Sequence, residues 1–162
     1  MKVWELNSEE GKTDLDRLVE EFTAGDDVDY DARLVDYDIY GSIAHVSALE
    51  EVELVSPSEA TELRDQLRKL LNENIELKPE DEDVHTKVEN EITSALGEVG
   101  SKLHTARSRN DQVLVDIRLF AKDRLFRIVE KLLDLVDSLL GFAEEGSEVP
   151  MVGYTHYRKA KP

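Results

Sequence analysis

The feature that most constrains this sequence is a sustained series of apolar residues at helical spacing between Asp111 and Phe142. Its members are separated by gaps of three or four residues, as in a coiled coil: Leu114, Ile117, Ala121, Leu125, Ile128, Leu132, Leu135, Leu139 and Phe142. This spacing predicts one long helix. A second stripe widens the apolar face beyond what one neighbouring helix could cover: Val113, Phe120, Val129, Leu133, Val136 and Leu140. We therefore expect this helix in the middle of a helical bundle.

The length of the predicted helix indicates what surrounds it. At 1.5 Å per residue it would be about 45 Å long. A compact chain of this size has a radius of gyration of only about 15 Å. The helix is therefore expected to extend into partner subunits, and the alternative is an edge helix of a small monomer.

Helical periodicity also occurs in four shorter stretches, with no convincing run of alternating strands between them. The predicted helices cover about Ser8 to Phe22, Asp31 to Leu49, Ser56 to Asn74 and Glu82 to Leu96. Ser56 and Pro57 provide a cap and a first-turn proline for the third helix, and Gly97 ends the fourth. The sequence thus predicts an all-α fold, with an N-terminal helical domain over residues 1–110 and the start of a central helix-bundle domain over 111–162.

The composition excludes several classes of partner. The net charge of -17 argues against nucleic acid, because phosphate binding needs a basic surface, and it disfavours anionic membranes for the same reason. A salt-rich cytoplasm and an ordinary acidic composition are both compatible with this charge. The absence of cysteine excludes disulfides and thiolate chemistry and fits a cytoplasmic location. No apolar run approaches the roughly 20 residues that cross a bilayer, so no membrane association is expected.

The sequence also predicts no cofactor and no metal. None of the four histidines lies four residues from another, the spacing at which one helix face presents two ligands. Phosphate-binding loops, dinucleotide fingerprints and nucleophile elbows are absent as well.

Two segments are locally basic in this acidic chain. Ser101–Gln112, which is predicted to be an ordered loop, holds Lys102, Arg107 and Arg109 against a single acid. Pro150–Pro162 holds three basic residues and no acid. Arginine side chains and hydroxyl groups commonly bind carboxylates, so these segments are candidate sites for an anionic ligand. The alternative is a pair of solvated basic turns that balance the acidic surface.

Three pairs of adjacent histidine and threonine residues add a second signal: His85-Thr86, His104-Thr105 and Thr155-His156. Histidine can exchange a proton near neutral pH, and a neighbouring hydroxyl group can hold a carboxylate oxygen. Each pair alone is weak evidence, because a single histidine is more often a structural residue.

Four motifs make the assignment more specific. They are YDARLVDYDIYGSIAH (Tyr30 to His45), EDVHTKVE (Glu82 to Glu89), SKLHTARSRNDQ (Ser101 to Gln112) and PMVGYTHYRKAKP (Pro150 to Pro162). In order and approximate spacing, this set resembles the first third of argininosuccinate lyases, which belong to the fumarase and aspartase superfamily. The resemblance implies an all-α subunit in a homotetramer built around a bundle of long helices, with each active site formed by three subunits.

The resemblance also implies a reaction and a set of site residues. Argininosuccinate is split into fumarate and arginine by removal of a proton next to a carboxylate and expulsion of a protonated guanidino nitrogen. Such a reaction requires a base, an acid and a carboxylate clamp. By resemblance, Ser108, Arg109, Asn110 and Thr155 form the clamp, and His85 is a neighbouring substrate contact. His156 is the catalytic acid-base residue.

Two positions depart from the family pattern. Asp27 stands where many relatives have a serine that contacts substrate, and Val152 replaces a proline that would stiffen the loop. The family's catalytic serine lies on a mobile loop whose motif does not occur in this sequence. The chain is therefore expected to be an N-terminal portion that is inactive alone. The alternatives are a sister lyase acting on adenylosuccinate, fumarate or aspartate, and a non-catalytic protein of this fold, such as a crystallin-like relative or a detached fragment.

Overall fold

The computed structural model describes residues 18, 19, 22, 27–73, 75–78, 81 and 83–161. For residues 27 and 161 it describes only the backbone. Among the described residues from 27 to 161, six helices and two short strands follow one another. They are α1 (Asp27–Asp31), α2 (Val35–Glu51), α3 (Pro57–Leu70), α4 (Val84–Leu96), α5 (Glu98–Ser101), α6 (Arg109–Gly146), β1 (Gly153–Thr155) and β2 (Arg158–Lys161). A 3-10 turn, Lys102–His104, separates α5 from α6. The predicted all-α fold is confirmed.

Side-chain caps determine where α3 and α4 begin. Ser56 accepts a hydrogen bond from the backbone N–H of Glu59, and the Glu59 carboxylate accepts one from the Ser56 N–H, with Pro57 at the first helical position. Asp83 accepts a hydrogen bond from the N–H of Thr86 in the same way. These contacts satisfy N–H groups that have no partner within the helix. The cap predicted at Ser56 and Pro57 is confirmed.

Helices α2, α3 and α4 enclose the hydrophobic core. The buried apolar residues are Ile39, Val46, Leu49, Val55, Ala60, Leu63, Leu67, Leu70, Val84, Val88, Ile92 and Leu103. Gly100 lies so close to α4 that a Cβ atom there would come within 2.5 Å of the Ile92 carbonyl oxygen. The absence of a side chain at Gly100 therefore lets α5 pack against α4.

Three local predictions need correction or completion. The predicted helix from Asp31 to Leu49 is interrupted, because the N–H groups of Arg33 and Leu34 bond the carbonyls three residues earlier and form a tight turn. The expected loop Ser101–Gln112 contains the 3-10 turn and the first residues of α6. Strands β1 and β2, which helical periodicity did not predict, form an antiparallel hairpin. The predicted helix from Ser8 to Phe22 lies largely outside the described residues.

The predicted long helix is confirmed as α6, which has 38 residues. Its first twelve residues belong to a compact unit that ends at Phe120, and its remainder belongs with the hairpin to a second unit, Ala121–Pro162. The aromatic ring of Phe120 packs edge-on against Tyr37 of α2, with 5.7 Å between ring centroids. Among the described helices, none is both long and apolar enough to span a membrane.

Candidate active site

A buried polar cluster joins α2, α4 and the start of α6. Asp38 lies on the core side of α2, His85 in the first turn of α4, and Gln112 and Asp116 one turn apart on α6. The Asp38 Oδ1 atom is 2.9 Å from His85 Nδ1 and accepts a hydrogen bond of 2.7 Å from Gln112 Nε2. The Asp116 Oδ2 atom lies 3.5 Å from the same histidine nitrogen. One carboxylate oxygen of α2 thus connects three helices.

Arg107 closes this cluster from the preceding loop. Its side chain is 7% exposed, and one guanidinium nitrogen lies 4.0 Å from Asp38 Oδ1. The other terminal nitrogen donates to the Ser42 hydroxyl at 2.8 Å. One turn further along α2, His45 Nε2 is 3.0 Å from the carbonyl oxygen of Thr105. Three side chains of α2, those of Asp38, Ser42 and His45, therefore hold the basic loop against this helix.

Burial and charge shift the pKa values of the cluster in different directions. Burial alone would raise the pKa of Asp38, but the hydrogen bond and charge of His85, the hydrogen bond from Gln112 and the charge of Arg107 outweigh this effect and lower it. Burial, together with the negative charge of Asp38, raises the pKa of Asp116 to about 7. Burial lowers the pKa of Arg107 in spite of its acidic neighbours. The two carboxyl groups thus have different affinities for a proton.

Asp38, His85 and Asp116 each offer one atom that could bind a metal ion, and these three atoms lie within 4.8 Å of one another. Asp38 Oδ1 already accepts from Gln112 and has the Arg107 guanidinium 4.0 Å away. This guanidinium provides the positive charge that a cation would supply. The cluster is therefore better suited to hydrogen bonding than to metal coordination.

Arg109, predicted as part of the carboxylate clamp, is bound within its own unit. Its guanidinium donates to Glu89 at 3.2 Å, to Gln112 Oε1 at 3.0 Å and to the Thr86 hydroxyl at 3.2 Å. Its Nε atom lies 3.5 Å from Asp83. These contacts connect the start of α6 to the first turns of α4 and fix the position of the loop backbone.

Ser108 and Asn110, the residues on either side of Arg109, have exposed side chains. Ser108 precedes α6, and its carbonyl oxygen accepts the first hydrogen bond of the helix, from the Gln112 N–H at 3.1 Å. Both residues therefore lie at a helix N-terminus, where unpaired N–H groups and the helix dipole favour an anion. Their exposure and position leave them available to a ligand, whereas His85, with 2% exposure, is enclosed by the buried cluster.

Thr155 and His156 lie in the second unit, on the hairpin. Thr155 pairs with Arg158, so that His156 and Tyr157 are the two central residues of the turn. Their φ angles are 50° and 62°. Such two-residue turns favour Asn-Gly, because both central residues adopt left-handed conformations. A histidine and a tyrosine in this turn are strained, and retained strain of this kind is common at functional sites.

The predicted site residues thus fall into two groups. His85, Ser108, Arg109 and Asn110 lie close together in the first unit, around the start of α6, and Thr155 and His156 lie together in the second. Asp38, Arg107, Gln112 and Asp116 were not predicted as site residues. Gln112 and Asp116 carry a signal that could have been used: two polar residues four apart on a helix flanked by apolar positions.

Comparison with known proteins identifies the family. A family model described as "Lyase" matches residues 9–162. The argininosuccinate lyase of Thermotoga neapolitana is 44% identical over 99% of this chain and 40% of its own length. That of Caldanaerobacter subterraneus is 43% identical over 100% of this chain and 36% of its own length, and that of Streptococcus suis is 42% identical over 91% and 32%. The chain thus spans two fifths or less of the length of these relatives, and the resemblance seen in the motifs is confirmed. By the match over residues 9–162, the chain belongs to the lyase family.

Proposed function

We propose that the complete protein is an argininosuccinate lyase, which releases fumarate from argininosuccinate and leaves arginine, as a step of arginine biosynthesis. The observation that carries this proposal is the identity of 43–44% to argininosuccinate lyases over almost the whole chain. Sister lyases fit less well, because the relatives described above are all argininosuccinate lyases. No cofactor, nucleic acid or membrane has a role in this proposal. A cytoplasmic location remains a prediction of the sequence.

The chemistry assigned to the two groups of residues is complementary. Fumarate elimination passes through a species in which a carboxylate gains negative charge, and that charge needs donors fixed in advance. Ser108 and Asn110 at the start of α6 would supply them in one subunit, with Arg109 holding their backbone in place. Thr155 would contribute a hydroxyl group from another subunit, and His156 would exchange a proton with substrate or with the family's serine. His85 is enclosed beside Thr86, so substrate would reach it only from that side.

We also propose the domain division and the assembly that the sequence predicts. Residues 1–110 form the N-terminal helical domain, and 111–162 begin a central bundle shared by four identical subunits. In the second unit the heptad residues of α6 are exposed, with values of 53–62% for Leu125, Ile128, Leu132, Leu135 and Leu139. A continuous apolar face of this kind is typical of an interface. Equivalent helices of other subunits would cover it and bring the hairpin of one chain to the α6 start of another.

The first prediction concerns the substrate. The complete protein, incubated with argininosuccinate, is expected to release fumarate, measured by its ultraviolet absorbance, with arginine as the co-product. Adenylosuccinate, malate and aspartate serve as controls and should give no comparable rate. Release of fumarate from one of these controls, with argininosuccinate left intact, would assign the protein to a sister activity.

The second prediction concerns His156. If His156 exchanges a proton in the elimination, His156→Asn should lower kcat by roughly 10² to 10⁴ and leave KM within a small factor. Steady-state kinetics on the assembled protein measures both constants, and sedimentation checks the assembly. Near-normal turnover by an assembled variant would show that His156 is structural and would remove it from the mechanism.

The third prediction concerns Asn110. As a donor to a carboxylate that gains charge in the transition state, Asn110 should contribute to kcat/KM, and Asn110→Ala should lower that constant by about 10² to 10³. Asn90 is an exposed asparagine on α4 and provides the matched control. Asn90→Ala should leave kcat/KM within a factor of about two, since surface substitutions are usually near neutral. Equal losses in both variants would contradict a specific role for Asn110.

The fourth prediction concerns assembly through α6. Leu132→Glu introduces a charge on the heptad stripe and should shift the protein from tetramer towards smaller species in sedimentation velocity. Ser138→Glu adds the same charge at an exposed polar position of the same helix and should leave the tetramer intact. A wild-type protein that sediments as a monomer, or equal effects of both variants, would contradict the bundle placement.

A further inference from the structure

Three carboxylate oxygens in the buried cluster have no hydrogen-bond donor among the described residues. They are Oδ2 of Asp38 and both oxygens of Asp116, and both side chains have 0% exposure. A buried ionised carboxylate without donors is strongly disfavoured. The protonation state of the cluster must therefore differ from that of two independent carboxylates.

The charges that face Asp116 come from three elements. Asp38 approaches from α2, His85 from α4, and Arg107 from the loop before α6, while Glu89 of α4 acts on Arg107 from further away. Arg107 balances one buried carboxylate. A second ionised carboxylate would have no permanent cation beside it among the described residues, whereas a proton on that carboxyl group would leave one negative charge opposite the positive charge of Arg107.

We propose that Asp116 is a neutral carboxylic acid that donates its proton to the free Oδ2 atom of Asp38, and that the resulting pair with one shared proton positions His85 and Gln112. The Asp38 carboxylate then has donors on both oxygens. Its Oδ1 atom accepts from Gln112 at 2.7 Å and contacts His85 Nδ1 at 2.9 Å, and its Oδ2 atom accepts from the acid. One oxygen of each carboxyl group lies within 4.8 Å of the other group, and two carboxyl groups that share a buried site tend to hold one proton between them.

The electrostatics of the two acids agree with this assignment. The pKa of Asp116 is raised to about 7, by burial first and then by the charge of Asp38. The pKa of Asp38 is lowered, because the donors around it outweigh the effect of its burial. The proton therefore resides on Asp116, and the negative charge resides on Asp38 beside Arg107.

This pair is connected to the loop that carries the candidate binding residues. Gln112 donates to Asp38 through Nε2 and accepts from Arg109 through Oε1 at 3.0 Å. A change at Asp116 would thus reach Arg109 through Asp38 and these two hydrogen bonds and would alter the position of Ser108 and Asn110. The relevance of this connection to catalysis rests on the proposed function, whereas the shared proton does not.

The fifth prediction tests the shared proton by stability rather than by activity. Asp116 has a folded pKa of about 7 against an ordinary value of 3.8, so its contribution is complete below the unfolded pKa and is lost as pH rises through about 7. Asp116→Asn keeps a neutral donor of the same shape and removes the titration. Urea unfolding of the complete protein should give the smallest difference between the midpoints of wild type and variant at about pH 4, with the variant clearly more stable at about pH 8.

The pH dependence gives the sharper comparison. The wild-type unfolding constant, divided by that of Asp116→Asn, should rise by up to about tenfold per pH unit between about pH 5 and 7 and then level off. Asp36→Asn removes an exposed carboxylate of α2 and should give a curve parallel to wild type. A constant ratio for Asp116→Asn between pH 5 and 7 would overturn the proposal, since it is expected if Asp116 is already ionised throughout this range in the folded protein.

Two further outcomes also decide the matter. An Asp116→Asn protein that fails to fold at every pH would count against a neutral Asp116, because the amide reproduces the shape and donor of the acid. In that case the infrared difference spectrum of the wild-type protein between pH 5 and 8 should show a buried protonated carboxyl band that titrates near neutral pH, and its absence would overturn the proposal. A stoichiometric divalent metal in the purified protein, measured by mass spectrometry, would also overturn it.

Discussion

The first unit depends on one buried anion, the carboxylate of Asp38. Its Oδ1 atom lies within hydrogen-bonding distance of side chains from two other helices, His85 and Gln112, and within 4.0 Å of the Arg107 guanidinium from the loop before α6. Removing one partner from a buried, hydrogen-bonded charge typically costs about 3–5 kcal/mol, because the remaining charge stays unpaired. Apolar packing among α2, α3 and α4 brings the helices together, and the polar contacts around Asp38 fix how α6 begins relative to them.

Fixing the start of α6 has a functional consequence. Arg109 uses its guanidinium to connect Gln112 with the first turns of α4, so this arginine acts from within its own unit. Ser108 and Asn110, on either side of it, keep their side chains exposed at a helix N-terminus. The arrangement thus separates the residue that holds the loop from those that face solvent and are free to bind a carboxylate. An arginine that is already paired with Glu89 and Asp83 has a smaller net positive charge to offer a ligand than sequence alone indicates.

The second unit differs from the first, because its part of α6 is long and the apolar residues of that helix are exposed. Burying them requires surfaces that this unit does not supply, and identical helices from other subunits would match both the heptad spacing and the width of the apolar face. His156 is held at a strained hairpin position in the same unit, with a φ angle of 50°. Under the proposed assembly, association of subunits and completion of the active site are the same event, since each site would draw residues from different subunits.

Local and periodic signals in the sequence were sufficient to predict several elements of the structure. The heptad spacing predicted α6, the Ser56 cap and Pro57 predicted the start of α3, and the motifs around His85, Asn110 and His156 indicated the family. The sequence did not predict the interruption between α1 and α2 or the hairpin of β1 and β2, because three or four residues carry too little periodicity. Only the tertiary structure placed Asp38, Arg107, Gln112 and Asp116 in one cluster, since these residues lie up to 78 positions apart and no local rule relates them. The tertiary contacts also pair Arg109 within its unit and bury Asp116 beside another acid. Burial and neighbouring charges, rather than residue type, determine the protonation and the binding capacity of such polar groups.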